Sequence, residues 1–374
     1  MQVSVLQEHL AKGLDTIARA VANRPSIPIL SNVLIATEDG RLKLCATNLE
    51  LAITARLGAQ VDANGETTVP ARLLTDLVKS LPSQQIDLRL EGNKLKLHCN
   101  GSHWELPTTR ASDFPNIPEL PERPSAVVPA DVLSKLIDQV VFSAAKEDNR
   151  PVLMGVLTRF EGPRASMIAA DGYRMAMRRA ELNAPVNEAL TLLIPATSLS
   201  EVARIIRSED GDVHIAVMSG RNQAIFHHKN VDIVSQLIDG KFPEVEQLIP
   251  KQAATSTRLD LPDFLAVCKR AEIFARDANG ITRFKISTSG EVLVSAQASS
   301  GGGGSERLPA EVTGKDIDIA FNVRYLIEVL SVLETKRFVL ETNNANAPGV
   351  VRPVTEDGEI DPSFVYLVMP MSVR

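Results

Sequence analysis

The stretch Thr68-Val-Pro-Ala-Arg-Leu-Leu-Thr-Asp-Leu-Val-Lys-Ser-Leu81 decides how the chain is read. Leu73, Leu74, Leu77, Val78 and Leu81 recur at helical spacing, while Arg72 and Lys79 point the other way. Pro70 sits where a helix starts without losing a needed N–H. The same pattern returns in LIPATSLSEVARII from Leu193 and in AFNVRYLIEVLSVL from Ala320. Pro70 and Pro195 are 125 residues apart, and Pro195 and Asn322 are 127 apart, each close to a third of the 374-residue chain. The spacing predicts one unit written three times.

Other landmarks keep the same register, as a true repeat requires. An amphipathic helix opens each third: Leu6, Leu10, Leu14, Ile17 and Val21, on a helix expected over Gln7 to Ala22, then Leu133, Leu136, Ile137, Val140 and Val141, then Phe264, Val267, Cys268 and Ala271. Hairpin patterns follow each, with turns at Asp39-Gly40 and Asn48, at Glu161-Gly162 and Asp171-Gly172, and at Ser289-Gly290. A proline closes each third, at Pro115, Pro243 and Pro370. Each third is itself doubled: strand, helix, three strands, then the same again. This gives an α+β chain of three similar domains, expected at 1–125, 126–252 and 253–374, with proline-rich linkers at Phe114 to Pro129 and Phe242 to Ser256.

Composition bounds the function. Hydrophobic residues make up 44% and charged residues 23%, a globular balance. No apolar run reaches a membrane span, and no basic head precedes an apolar stretch at the N-terminus. Cys45, Cys99 and Cys268 are odd in number and far apart, and read as reduced buried thiols. A cytoplasmic location is expected, with no membrane partner. The net charge of −6 argues against nucleic acid taken alone. Yet acidic residues gather in turns and linkers, while the helices carry Lys12, Arg19, Arg72, Lys79, Lys135, Arg204, Arg207, Lys269, Arg270, Arg276 and Arg324 among fewer acids. The local field, not the net charge, decides whether a phosphate backbone is attracted.

No nucleotide loop, metal-binding spacing or cysteine pair motif is present, so no cofactor, metal or catalytic residue is expected. His227-His228 reads as an exposed pair in a strand, Asp171 as a turn residue at the place repeated by Asn48, and the glycine run within Ser299 to Arg307 as a flexible loop at a hairpin tip.

Seven stretches spread over all three units carry a resemblance: NRPSIPIL, TVPAR, ASDFPNIP, AADGYRMA, LIDGKFPEVEQLIP, IAFNVRYLIEVL and YLVMPM. Through them the sequence resembles the bacterial sliding clamps, the beta subunits of DNA polymerase III holoenzyme, over its whole length. The resemblance implies a DNA-clamp fold: a head-to-tail homodimer closed into a ring, helices inside and sheets outside, encircling duplex DNA without reading its sequence. It implies a processivity factor rather than an enzyme. The partners implied are the replicative DNA polymerase, the clamp loader, and other polymerases and repair proteins that bind through short linear motifs.

Residue by residue, the resemblance assigns DNA contact to Arg24 and Arg72, with Lys146 expected to compensate where the loop AAKEDNRPV and the pair Ala196-Thr197 depart from the better-known form. It assigns a client-peptide cleft to Arg150, Leu153, Gly172, Tyr173, Arg174, Met175, Pro243, Leu248, Asn322, Tyr325, Val368, Met369, Pro370 and Met371. Arg174 is expected to hold a peptide carbonyl or carboxylate, and Leu153 with Leu248 to form an apolar floor. Tyr173 stands where His is commoner, and Gln247 where Arg is. Trp104 and Leu106 are placed at one end of the subunit, Ile273 and Phe274 at the other, as the dimer interface. Two other classes accommodate the same residues: a three-repeat scaffold that never touches DNA, and an enzyme built on Asp148, Asp171 and Tyr173.

Overall fold

The computed structural model describes residues 1–147 and 150–372. The first third runs β1 (Gln2–Leu6), α1 (Gln7–Ile17), β2 (Asn32–Glu38), β3 (Arg41–Thr47), β4 (Leu51–Gly58), β5 (Gln60–Ala63), β6 (Glu66–Pro70), α2 (Ala71–Ser80), β7 (Gln85–Glu91), β8 (Lys94–Cys99) and β9 (Ser102–Pro107). The second runs β10 (Ala126–Pro129), α3 (Ala130–Asp138), β11 (Gly155–Glu161), β12 (Arg164–Ala170), β13 (Arg174–Glu181), β14 (Leu190–Pro195), α4 (Ala196–Ile206), β15 (Asp212–Met218), β16 (Gln223–His228) and β17 (Val231–Gln236). The third runs β18 (Thr255–Asp260), α5 (Leu261–Ala275), β19 (Ile281–Ser287), β20 (Glu291–Gln297), β21 (Gly303–Pro309), β22 (Glu311–Thr313), β23 (Ile317–Asn322), α6 (Val323–Val332), β24 (Arg337–Thr342), β25 (Gly349–Val354) and β26 (Phe364–Val368). Apart from the short β5 and β22, each third is strand, helix, three strands, taken twice, as its periodicity predicts.

The opening stretch shows the local logic. Pro70 ends β6 and caps α2 in extended geometry (φ −56°, ψ 116°), so the helix begins at Ala71. Ala71, Leu74 and Val78 are buried, and Arg72 faces out. Leu73 is 49% exposed, so the apolar stripe is narrower than the sequence suggests. α1 buries Leu10, Leu14 and Ile17 and then tightens into a 3₁₀ turn ending at Ala20. Leu6 belongs to β1 and is exposed rather than part of the helix stripe. The three cysteines are buried and free, two in strands and one in α5.

The contacts divide the chain into two compact units that do not follow the thirds: Met1–Leu133 with Glu201–Leu237, and Ser134–Ser200 with Ile238–Arg374. The first unit holds a sheet β5-β1-β7-β8-β9 and a sheet β10-β15-β16-β17-β4-β3-β2-β6. The second holds β14-β11-β12-β13-β26-β25-β24-β18-β22 and β21-β20-β19-β23. Within each third the leading strand of one half joins the sheet of the other half: β1 joins β7, and β6 joins β2. This exchange ties the two halves together.

The long sheets arise where thirds meet. β4 pairs antiparallel with β17 through Leu51↔Ser235 to Ala55↔Val231. β13 pairs antiparallel with β26 through Arg174↔Val368 to Arg178↔Phe364. In both, the last strand of one domain's first half meets the last strand of the next domain's second half. By this rule β21 and β9 are the two strands of that kind left at sheet edges.

The structure departs from the sequence expectation at the glycine run and at the histidine pair. The glycine run is a loop only in part: it turns over Ala298 to Gly302, and Gly303 to Arg307 then belong to β21, paired with β20. Regular pairing overrides glycine's weak strand preference because β20 offers a full ladder. His227 and His228 are not an exposed pair. His228 is buried with Nδ1 3.2 Å from the Asp212 carbonyl, and His227 Nδ1 lies 2.5 Å from Asp232. Among the described residues no cluster suited to a metal ion is present, and no helix is long and apolar enough to cross a membrane.

Candidate functional site

In the second unit the residues expected to take a client peptide are arranged about the β13·β26 junction. Asp171 makes the turn that enters β13: its Oδ1 accepts from the Tyr173 and Arg174 amides at 2.9 and 3.0 Å. Gly172 adopts φ +95°, a conformation that disfavours any side chain. The turn presents Tyr173, 65% exposed. The Tyr173 carbonyl accepts from the Met369 amide at 2.8 Å, fixing the tail that leaves β26. Met371 donates its amide to the Ala320 carbonyl at 2.8 Å, which lays the tail beside Asn322 and the start of α6. Asn322 itself caps α6, its Oδ1 accepting from the Arg324 amide at 3.1 Å.

An apolar bed lies beneath. Leu153, Met175, Phe242, Val350 and Leu367 are buried in one cluster, with Val245 and Ile249 of the linker packed on it. Phe242 anchors that linker, leaving Pro243 exposed and Leu248 58% exposed. Arg150 is exposed and precedes the 3₁₀ turn that carries Leu153. Val368 is fully buried, Met369 is 39% exposed, and Pro370 and Met371 are half-buried. Tyr173, Leu248, Met369 and Met371 are therefore the apolar side chains of this set that can meet a partner. Leu153 and Met175 belong to the buried cluster instead.

Arg174 departs from its expected role. Its side chain is 4% exposed, with Nε on Asp171 at 3.0 Å, Nη1 on Glu328 and Nη2 on the Phe142 carbonyl at 2.8 Å. The guanidinium stacks over the Tyr325 ring at 4.4 Å. The Tyr366 hydroxyl, fully buried, donates to the Tyr325 carbonyl at 3.0 Å. Burial works to lower the Arg174 pKa, but the carboxylates of Glu328 and Asp171 outweigh it, so the cation is held firmly charged. Burial also pushes the Tyr366 phenol up, keeping it neutral. Arg174 is thus a brace that locks the Asp171 turn to α6, not a free hand for a peptide. Asp171, Phe142, Glu328 and Tyr366 complete this brace and were not singled out from sequence as part of the site. The Asp171 carboxylate is spent on the turn and on Arg174, which removes it from the enzyme reading; Asp148 lies outside the described residues.

The residues expected to contact DNA are solvent-facing. The Arg72 side chain is 95% exposed, with Asp76 3.8 Å away. Arg24 is exposed with φ +55°, and Lys146 is exposed. Neighbouring helix cations are largely paired. Lys79 meets Asp15 at 2.6 Å and Arg204 meets Glu201 at 2.6 Å in the first unit, and Arg324 meets Glu272 at 3.1 Å in the second. Such pairs soften the positive field without abolishing it.

Of the residues expected at the subunit ends, Trp104 on β9 is 50% exposed, Ile273 is 66% exposed and Phe274 is 39% exposed. Leu106 is 1% exposed and is corrected: it stands opposite Leu95 and belongs to the subunit's own core.

The chain matches the DNA polymerase III beta subunit families along its length: the N-terminal domain over 1–118, the central domain over 127–244 and the C-terminal domain over 246–372. The beta sliding clamp of Pseudomonas aeruginosa is 32% identical, over 99% of this chain and 100% of the relative. That of Synechococcus elongatus is 31% identical over the full length of both. The crystal structure of the DNA polymerase III subunit beta from Pseudomonas aeruginosa superposes with a TM-score of 0.90 at 31% identity, covering 100% of each chain. The Bacillus subtilis clamp shares the fold at a TM-score of 0.94 and 24% identity. The chain therefore belongs to the DNA polymerase III beta subunit family, the beta sliding clamps, non-catalytic processivity factors of DNA replication.

Proposed function

We propose that two copies of this chain close head to tail into a ring that encircles duplex DNA and tethers its replicative polymerase. The single observation that carries the ring is the pair of open edges, β9 and β21. Both within-chain junctions join a first-half strand to a second-half strand antiparallel. The same rule applied between copies pairs β21 of one with β9 of the other, and no strand of that kind is left at an edge. The domains meeting in the ring are 1–125, 126–252 and 253–374, with helices toward the bore.

Arg24, Arg72 and Lys146 contact the phosphate backbone. A sliding ring must not read base edges, since those contacts would pin it. Topology rather than affinity retains it, which suits helix faces whose cations are mostly paired. The β13·β26 site takes a short client segment, with large apolar side chains against Tyr173, Leu248, Met369 and Met371. So small a patch gives weak to moderate affinity, and tethering raises the client's effective concentration at DNA. The replicative polymerase, the clamp loader, and other polymerases and repair proteins would share this mode in the cytoplasm.

The assembly is tested by Ile273→Ala combined with Phe274→Ala. Light scattering at low micromolar concentration is expected to give folded monomers, against dimers for the unaltered chain. A double variant that stays dimeric would remove the β9–β21 joint.

A further inference from the structure

The glycine run has an asymmetry. Gly301 and Gly302 adopt φ +89° and +108° in the turn, where other residues are strained. A Cβ on Gly303 would lie 2.5 Å from the Ala296 carbonyl oxygen, so that position also excludes a side chain. Gly304 has neither reason. Its φ lies outside the left-handed region, and a Cβ there would meet only Phe274 Cε2, at an ordinary 4.0 Å. Yet glycine inside a strand is less stable than alanine. Among the described residues nothing within the subunit calls for glycine at 304.

Its place in the fold names what does. Gly304 stands opposite Ala296, which is buried, so its missing side chain would point to the face that packs on α5. β21 is an edge strand, and Ile273 and Phe274 lie exposed on α5. On the other open edge, Trp104 stands opposite Leu97, buried, and on the same face as Leu106, also buried. Trp104 thus points to the core face of β9 but is half exposed, a large apolar group without a cover of its own. In a continuous antiparallel sheet the core faces of β9 and β21 coincide.

We infer that Gly304 is a socket: its absent side chain leaves the room beside Phe274 that the Trp104 indole of a second copy fills. This rests on the ring reading and deepens it, assigning to the glycine run a role in subunit recognition. An indole seated against glycine and flanked by Ile273 and Phe274 is a hole-and-knob fit, in which size on one chain is matched by its lack on the other.

The test is a double-substitution cycle on the full chain, reading dimer dissociation by mass photometry and sedimentation. Gly304→Val is expected to raise the dimer Kd by at least ~10-fold, and Trp104→Ala to raise it as well. With Trp104→Ala in place, adding Gly304→Val should change Kd by less than about 2-fold, because the knob that it blocks is gone. Circular dichroism should show every variant folded, since the subunit itself has space at 304. Gly304→Ala, a smaller bump, should fall between, and decides the matter by the same cycle should the valine variant not fold. An unchanged Kd for Gly304→Val, or an equal penalty in both backgrounds, would overturn the socket while leaving the ring intact. An unaltered chain that is monomeric at about 10 µM would overturn the ring and the socket together.

Discussion

The junctions β4·β17 and β13·β26 are the same backbone built twice with different side chains. Asn48 Oδ1 accepts from the Glu50 and Leu51 amides at 3.0 and 2.8 Å, as Asp171 Oδ1 does from Tyr173 and Arg174. Leu49 and Gly172 take positive φ, +78° and +95°. The Gln236 amide donates to Glu50 at 2.8 Å, as Met369 does to Tyr173. There the likeness stops. Where β13 carries Arg174 and Met175, β4 carries Leu51 and Ala52. The bed under the first junction is a small cluster of Ala52, Ala216, Ile225 and Val234, with Ile117 and Leu120 of the linker packed on it. Under the second the cluster is larger, and Leu248 of the linker stays exposed. The repeat supplies a platform, and side chains decide whether it is covered by its own linker or left open.

If the brace is what makes the second junction a site, removing it should have the largest effect. Arg174→Ala leaves the Glu328 and Asp171 carboxylates without their cation in a mostly buried setting. A loss of about 3 kcal/mol is expected, discounted for the partial exposure of Glu328. Chemical denaturation measures that loss. Fluorescence polarisation, with a peptide carrying a glutamine and two large apolar residues, should show affinity falling by more than ~10-fold. A stable Arg174→Ala that still binds the peptide would mean that the turn holds itself.

Smaller effects come from exchanging the residues at positive φ. Gly172→Leu is expected to cost about 1–2 kcal/mol and to weaken the same peptide, because it strains the turn presenting Tyr173. Leu49→Gly should be neutral or stabilising by up to ~1 kcal/mol, since Leu49 is 51% exposed and gives up little burial. Thermal and urea midpoints of both variants settle the point. Equal effects of the same sign at the two positions would show that the junctions are not alike in strain.

Much of this was legible in sequence for a physical reason. Helical stripes and alternating strands are local signals, so the triplication, the doubling within thirds and the turns at Asn48 and Asp171 all follow from spacing. What was not legible is non-local. Periodicity cannot say that β1 joins β7, or that β4 crosses to β17, because neither pairing partner is near in sequence. Parity puts Trp104 and Leu106 on one face of β9, but only the extent of the core shows that Leu106 is covered and Trp104 is not. Arg174 reads as a ligand-holding cation until Phe142, Tyr325, Glu328 and Tyr366, scattered along the chain, are seen to enclose it. The glycine run reads as a loop because its strand character comes from the β20 ladder rather than from its own residues.

If the chain holds DNA by encircling it, retention on DNA circles reads that out. The protein, loaded onto closed circular duplex, is washed in high salt, and its occupancy is followed before and after a single cut. An encircling ring stays on the closed circle through the wash and is lost once the circle is linear. An electrostatic binder does the reverse, since salt releases it and ends are irrelevant. Release by salt from closed circles, or equal retention on circular and linear DNA, would rule out encirclement.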